Sequence, residues 1–445
     1  MKRIIKYLLL FTSLSTLFSC GKASVESAKE LINNTTTEPN FLKGELSADF
    51  GAGTGIVSYD AGSFSGPDKG VAVAFDSNGN IVVGGDSFIS SNDMAVWRYR
   101  PDGTIDTSFG GGDGFLTHSI NGSDYVEDMA FDSLGNIILV GRTLVSLQGN
   151  DLAVWKVTPS GTLDTSFGGG NGYITHRMAS GQTNHEEGYS VAIDSNDNII
   201  VVGRTTTVGS TVWKFSPTGI LDTSFGGGDG ITQSPLLGAA YGVTVDENDN
   251  IYTAGVGTGI NVVKYDSNGN LDLSFSGDGV FVYNNPSGGG SANDIIIDAN
   301  GNVVITGYLD SGADRDMLVM RLTPTGVLDT TFGSGQGYIT HHNAASGNGN
   351  DIGNALTIDS DGNILAIGTS VGANTDLALW KISPTGSLVT SFGNGDGFVT
   401  FDGLAGKSGF DMGNGLALTD SGKLAVTGQS EGVTTSDDMV LFLLE

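Results

Sequence analysis

Asp76-Ser77-Asn78-Gly79-Asn80-Ile81-Val82-Val83-Gly84-Gly85 is a tight polar turn that runs directly into a β-branched strand. Its pattern, Asp-x-x-Gly/Asp-Asn-Ile/Val-x-x-x-Gly, returns at Asp132, Asp194, Asp246, Asp298 and Asp359, with a worn copy at Thr419. A second pattern, fullest as Leu-Asp-Thr-Ser-Phe-Gly-Gly-Gly-Asp-Gly, surrounds Phe109, Phe167, Phe225, Phe275, Phe332 and Phe392, and a degenerate copy surrounds Phe50. Self-similarity at a period of about 57 residues makes this a repeat protein.

Each repeat predicts four short strands. In the first these are Val71–Phe75, a strand beginning at Ile81, Met94–Tyr99 and Phe115–His118. Gly, Asn and Asp punctuate them, because such residues tolerate the positive φ of tight turns. In the first strand, the residues one and three before the turn Asp are large, as in Phe75 and Val73. Those two and four before it are mostly small, as in Ala74 and Ala72. A sheet with one large and one small apolar face stacks on its own copy. Seven such stacks predict an all-β, seven-bladed β-propeller of four-stranded blades over residues 44–445.

The chain ends point the same way. Asp438-Met439-Val440-Leu441-Phe442 matches Asp93-Met94-Ala95-Val96-Trp97, a third strand, and the chain stops there. The missing fourth strand is supplied by Phe50–Tyr59 at the other end. The last blade is therefore expected to combine an N-terminal fourth strand with C-terminal first to third strands, leaving no free sheet edge.

The chain has 445 residues and a net charge of −29, which argues against nucleic acid as a partner. Residues 1–19 carry Lys2, Arg3 and Lys6, then the apolar run Tyr7-Leu8-Leu9-Leu10-Phe11, and read as an export signal. Leu17-Phe18-Ser19-Cys20 contains the sole cysteine and resembles a bacterial lipobox. That resemblance implies lipidation of Cys20, membrane attachment through the lipid and, with Gly21 next, outer-membrane sorting. Residues 20–43 read as a lipidated tether. The repeat motifs resemble the delta-60 repeat, a family of bacterial β-propeller repeats whose function is largely uncharacterised.

Chemistry is sparse in the pattern. Gly403-Leu404-Ala405-Gly406-Lys407-Ser408 approaches a phosphate-binding loop, but Phe401 stands where its first glycine is required. Trp97, Trp155, Trp213 and Trp380 share one repeat position and read as core. His118, His176 and His341 end fourth strands, while His342 and His185 read as isolated loop residues. The oxygen-rich turns read as turn chemistry.

Eight residues before the turn Asp an acid recurs, at Asp68, Asp124, Glu186, Asp351 and Asp411. These five are expected at the channel mouth, with Asp128 and Asp294 one pleat deeper, as candidate ligands for Ca²⁺. The alternative is that each acid bonds the N–H groups of its own connecting loop.

The turns on one end of the disc are nearly identical between repeats. Connections on the other end, such as His176–Gly188, His341–Gly353, Phe88–Asp93 and Tyr308–Asp316, differ in length and content. Function is expected on that divergent face. The expected role is a monomeric envelope scaffold, on the periplasmic side or the surface, that binds a protein or a polysaccharide. A metal-assisted hydrolase or lyase at the channel mouth, and a surface adhesin, are the alternatives.

Overall fold

The computed structural model describes residues 44–60, 66–145, 149–177, 185–206, 209–236, 238–419, 421–433 and 436–445. The export signal, Cys20 and the tether of residues 20–43 lie outside them.

The described chain is all-β, with 3-10 turns its only helical pieces. β1 (Ile56–Tyr59) precedes a first meander of β2 (Lys69–Phe75), β3 (Ile81–Phe88), β4 (Asn92–Tyr99) and β5 (Phe115–His118). The second comprises β6 (Asp124–Phe131), β7 (Ile137–Val145), β8 (Gly149–Val157) and β9 (Tyr173–His176). The third comprises β10 (Glu186–Ile193), β11 (Ile199–Thr205), β12 (Gly209–Phe215) and β13 (Ile231–Gln233). The fourth comprises β14 (Ala239–Val245), β15 (Ile251–Val256), β16 (Ile260–Tyr265) and β17 (Val280–Tyr283). The fifth comprises β18 (Gly290–Ile297), β19 (Val303–Asp310), β20 (Arg315–Leu322) and β21 (Tyr338–His341).

The remaining strands form one eight-stranded sheet. It contains β22 (Asp351–Ile358), β23 (Ile364–Val371), β24 (Thr375–Ile382) and β25 (Phe398–Phe401), together with β26 (Gly406–Leu418), β27 (Leu424–Gly432), β28 (Asp437–Leu444) and β1. A single parallel pair, Thr375 with Phe410, joins its two halves. β1 runs antiparallel to β28, with Ile56 opposite Phe442 and Tyr59 opposite Met439.

The repeated turns owe their shape to the Asp that opens them. Asp76 Oδ1 accepts hydrogen bonds from the N–H of Asn78 at 2.8 Å and of Asn80 at 2.9 Å, and Oδ2 accepts the Asn80 side-chain amide at 2.8 Å. Asp132, Asp194, Asp246, Asp298 and Asp359 repeat this cradle. The carboxylates thus complete their own turns, which is the turn chemistry expected of these residues.

Between sheets, the tryptophans and the motif phenylalanines are fully buried. Gly103 shows how tightly the Gly-rich loops fit. Its φ is +81°, and a Cβ there would stand 2.7 Å from Gly51 N and 2.9 Å from Phe50 Cε2. Only glycine meets both conditions. Gly44 repeats the contact against Phe392, at 2.8 Å from its Cε2.

The apolar clusters span neighbouring sheets or, in one case, the two halves of the eight-stranded sheet. Val82, Val96 and Phe109 pack with Leu139 and Trp155, for example. Phe50, Val73 and Trp97 pack with Ala425, Met439 and Leu441, which brings strands from the two ends of the chain together.

Candidate functional site

The first strand of every repeat carries a β-bulge. The register of β2 against β3 shifts between Gly70 and Ala72, and the same shift occurs in β6, β10, β14, β18, β22 and β26. A bulge inserts one residue and re-aims its side chain. The inserted residues are Val71, Glu127, Tyr189, Tyr241, Asn293, Asn354 and Asn414, and all of them line one cavity of about 330 Å³. The large–small alternation read from sequence stops at the residue after the bulge, so these seven positions escaped it.

The cavity floor is polar and internally bonded. Asn293, Asn354 and Asn414 each donate a side-chain N–H to a backbone carbonyl of the next first strand, on Gly353, Gly413 and Gly70, at 2.8–2.9 Å. Asp128 accepts from Ser190 Oγ at 2.8 Å, Val191 N at 2.9 Å and Met129 N at 2.7 Å. Asp294 accepts from Leu356 N at 2.9 Å and Ile295 N at 2.7 Å. Burial pushes the Asp294 carboxyl up to about 7, against the pull of its two N–H donors, and burial raises Asp128 as well.

Above this floor lies a charged and aromatic web. Arg142 pairs with Glu127 and stacks over Tyr125, its guanidinium 4.6 Å from the ring centre. Glu187 accepts hydrogen bonds from Tyr189 Oη and from Asn150 Nδ2 and meets Arg204 at 3.2 Å. Burial opposes ionisation of Glu187. The Tyr189 and Asn150 hydrogen bonds and the Arg142 guanidinium outweigh it and hold the carboxyl below its ordinary value. The Tyr189 and Tyr241 rings lie 5.2 Å apart.

The five acids expected to crown this mouth are elsewhere. None of Asp68, Asp124, Glu186, Asp351 and Asp411 lines the cavity, although all five are buried. Each stands at the start of a first strand. Asp124 accepts from Ile120 N at 2.7 Å, Asp351 from Asn343 N at 2.8 Å and Asp411 from Gly403 N at 2.9 Å, all within their own connecting loops. Asp68 instead accepts from Phe88 N at 3.3 Å, and Glu186 meets His176 Nδ1 at 2.9 Å. The physical reason is the bulge. It turns the side chain three residues further along into the cavity and leaves the earlier acid outside the lining.

Three of the histidines pack on the following sheet: His118 on Tyr173, His176 on Trp213 and His341 on Trp380. His341 Nδ1 accepts the Trp380 indole N–H at 3.1 Å. His342 is not isolated as its sequence context suggested. It lies against Asp314 and Asp316, which with it form the one group of three potential metal-ligating residues found among the described residues.

Residues 77–109, 135–167 and 299–332 match the profile of the DUF5122 β-propeller, a domain of unknown function. No curated protein matches the chain. Among solved structures it is similar to the WD40 propeller domain of Doa1, at 10% identity over 88% of this chain and 97% of that one, with a TM-score of 0.49. Sqt1 of Chaetomium thermophilum is similar at 12% identity, over 87% and 97% of the two chains, with a TM-score of 0.46. The PQQ-bound aldose sugar dehydrogenase of Streptomyces coelicolor follows at 10% identity, over 87% and 97%, with a TM-score of 0.39. The repeats and the stacked sheets make this a β-propeller protein.

Proposed function

We propose that the chain is a lipid-anchored envelope scaffold, a seven-bladed propeller whose divergent end binds a protein or a polysaccharide. The seventh blade would combine β26, β27 and β28 with β1, and the pairing of β1 with β28 supports this. Lipidation of Cys20 would hold the propeller at the outer membrane, on its periplasmic side or at the surface.

The contrast between the two ends carries the reading. At the uniform end the Gly-rich loop of one sheet bonds the turn of the next. Gly110 N donates to Ser160 O at 3.1 Å, Gly168 N to Thr218 O at 3.0 Å and Gly333 N to Thr385 O at 3.0 Å. Arg98 and Arg321 reach across to the carbonyls of Pro159 and Pro384. Those polar groups serve folding. The divergent end offers stacked arginine–tyrosine faces, Arg142 on Tyr125 and Arg315 on Tyr308, the latter at 4.2 Å. Planar cations over aromatic rings suit acidic or sugar surfaces.

Site-specific photo-crosslinking in envelope extracts tests the assignment. A crosslinker at Ile89 or Tyr308, on the divergent end, should capture a discrete adduct. One at Leu134 or Ile220, exposed at 76% and 68% on the uniform end, should not. Equal capture from both ends, or none from either, sinks the reading.

A further inference from the structure

The seven bulge residues that line the cavity are not alike. Tyr189 and Tyr241 come from successive first strands, and their rings lie 5.2 Å apart at an inclination of 43°. Asn293, Asn354 and Asn414 come from the three first strands that follow. One stretch of the wall is therefore aromatic and the next is amide.

The amides are held in one orientation. Each gives a side-chain N–H to the backbone carbonyl of the neighbouring first strand, which leaves its Oδ1 for other donors. Asn293 Oδ1 accepts Ser291 Oγ at 3.0 Å. Asn354 Oδ1 and Asn414 Oδ1 accept no hydrogen bond among the described residues. Lys69 and Tyr241 line the same cavity, and among the described residues neither the ammonium nor the phenol has a hydrogen-bond partner. Unengaged acceptors and unengaged donors thus share one cavity.

Charge narrows what fits there. A bare cation would meet Lys69, and an anion would meet Glu127, Asp128 and Asp294. Asp128 and Asp294 are already engaged by N–H and hydroxyl donors. A hydroxyl group both gives and accepts hydrogen bonds. A molecule carrying several can therefore serve the amide oxygens and the ammonium together. The C–H face of a sugar ring is slightly positive and lies well on the negative face of an aromatic ring. The cavity volume of about 330 Å³ stands at the small end of the roughly 300–1,000 Å³ common for ligand sites, room for one ring and not for a chain.

We propose that this cavity binds one uncharged, polyhydroxylated ring, a monosaccharide unit. Its hydroxyls donate to Asn354 and Asn414 and accept from Lys69, and its C–H face rests on the Tyr189–Tyr241 pair. The unit is a free sugar or the terminal residue of a glycan. The proposal goes beyond the scaffold reading. Ile89, Tyr125 and Tyr308 do not line the cavity, so crosslinking at the divergent end and sugar binding fail independently.

Calorimetric titration of the full chain with glucose, galactose, mannose and N-acetylglucosamine tests it, with gluconate and glucosamine as charged controls. At least one neutral sugar should bind at one equivalent, more tightly than either control. Tyr241→Phe breaks no hydrogen bond of the fold and should weaken that binding about fivefold, the worth of one hydrogen bond. Lys69→Met should weaken it by at least as much. Absence of binding by every neutral sugar, tighter binding of a charged control, or parental affinity in both variants overturns the proposal. Should the variants misfold, saturation-transfer NMR on the parent chain decides. Transfer from the protein's aromatic protons to the ring protons of the sugar supports the site, and its absence refutes it. The methyl glycoside of the tightest sugar separates the two sources: retained affinity assigns a glycan terminus, and lost affinity assigns the free sugar.

Discussion

Asp294 shows what a single bulged strand does to a carboxyl. An aspartate in the unfolded chain titrates near 4, whereas burial holds Asp294 near 7 in the fold. Between those values the folded chain retains a proton that the unfolded chain has released. The stabilising contribution of this group is therefore whole below about pH 4 and is lost as the pH rises through about 7. Asp294→Asn should flatten the fall of melting temperature between pH 5 and 8. Part of the slope should persist, because burial also holds Asp86 near 7. Identical slopes for parent and variant would count against this account. At this scale the sequence was read only in part. Asp128 and Asp294 were singled out beside the channel, and they line it. Glu127, Tyr189, Tyr241 and the three asparagines were missed. A bulge position tolerates Val, Glu, Tyr and Asn alike, so no residue type marks it. Internal alignment of the repeats five residues before the turn Asp would have exposed the column, because polar side chains dominate it.

Among the elements, β1 carries the clearest consequence. It covers the edge of β28, and residues just before it add to the same sheet. Leu46 bridges Leu444, Ser47 Oγ donates to Glu445 Oε1 at 2.6 Å, and Phe50 is fully buried between sheets. Deleting residues 44–59 removes all of this and bares a strand edge. Loss of a buried Phe alone costs about 3–5 kcal/mol. The deletion should lower the melting temperature clearly, whereas deleting 21–43 should leave it unchanged. Equal melting temperatures for the two truncations would refute the role given to β1. This pairing was legible because the C-terminal strand matches Asp93–Tyr99, a third strand, and so lacked its fourth. The strand limits were less so: β2 starts at Lys69 and β4 at Asn92, each two residues earlier than hydrophobicity suggested, since polar residues extend the ladders toward the divergent end.

The whole chain carries a net charge of −29 and a single cysteine, Cys20, that lies ahead of the repeats. Replacing Cys20 with Ser should release the protein from membranes into the soluble fraction. Unchanged detergent partitioning of that variant would exclude lipid anchoring. One acyl chain binds a membrane only marginally, so firm retention of the parent requires more than one. The repeat pattern made the architecture legible because it recurs, whereas the contacts of His342 could not be read, since Asp314, Asp316, His342 and Asp351 come from different repeat positions and meet only in three dimensions. The pairing of β1 with β28 also sets a clock. The ribosome makes β1 first and its partner last, so at ordinary elongation rates the strand waits roughly 20–80 s for its mate. Throughout that interval Ile56 and Val57 belong to a sheet that does not yet exist. A holding factor that keeps early chain extended until translation ends would raise the yield of this protein more than that of a propeller whose sheets complete in order.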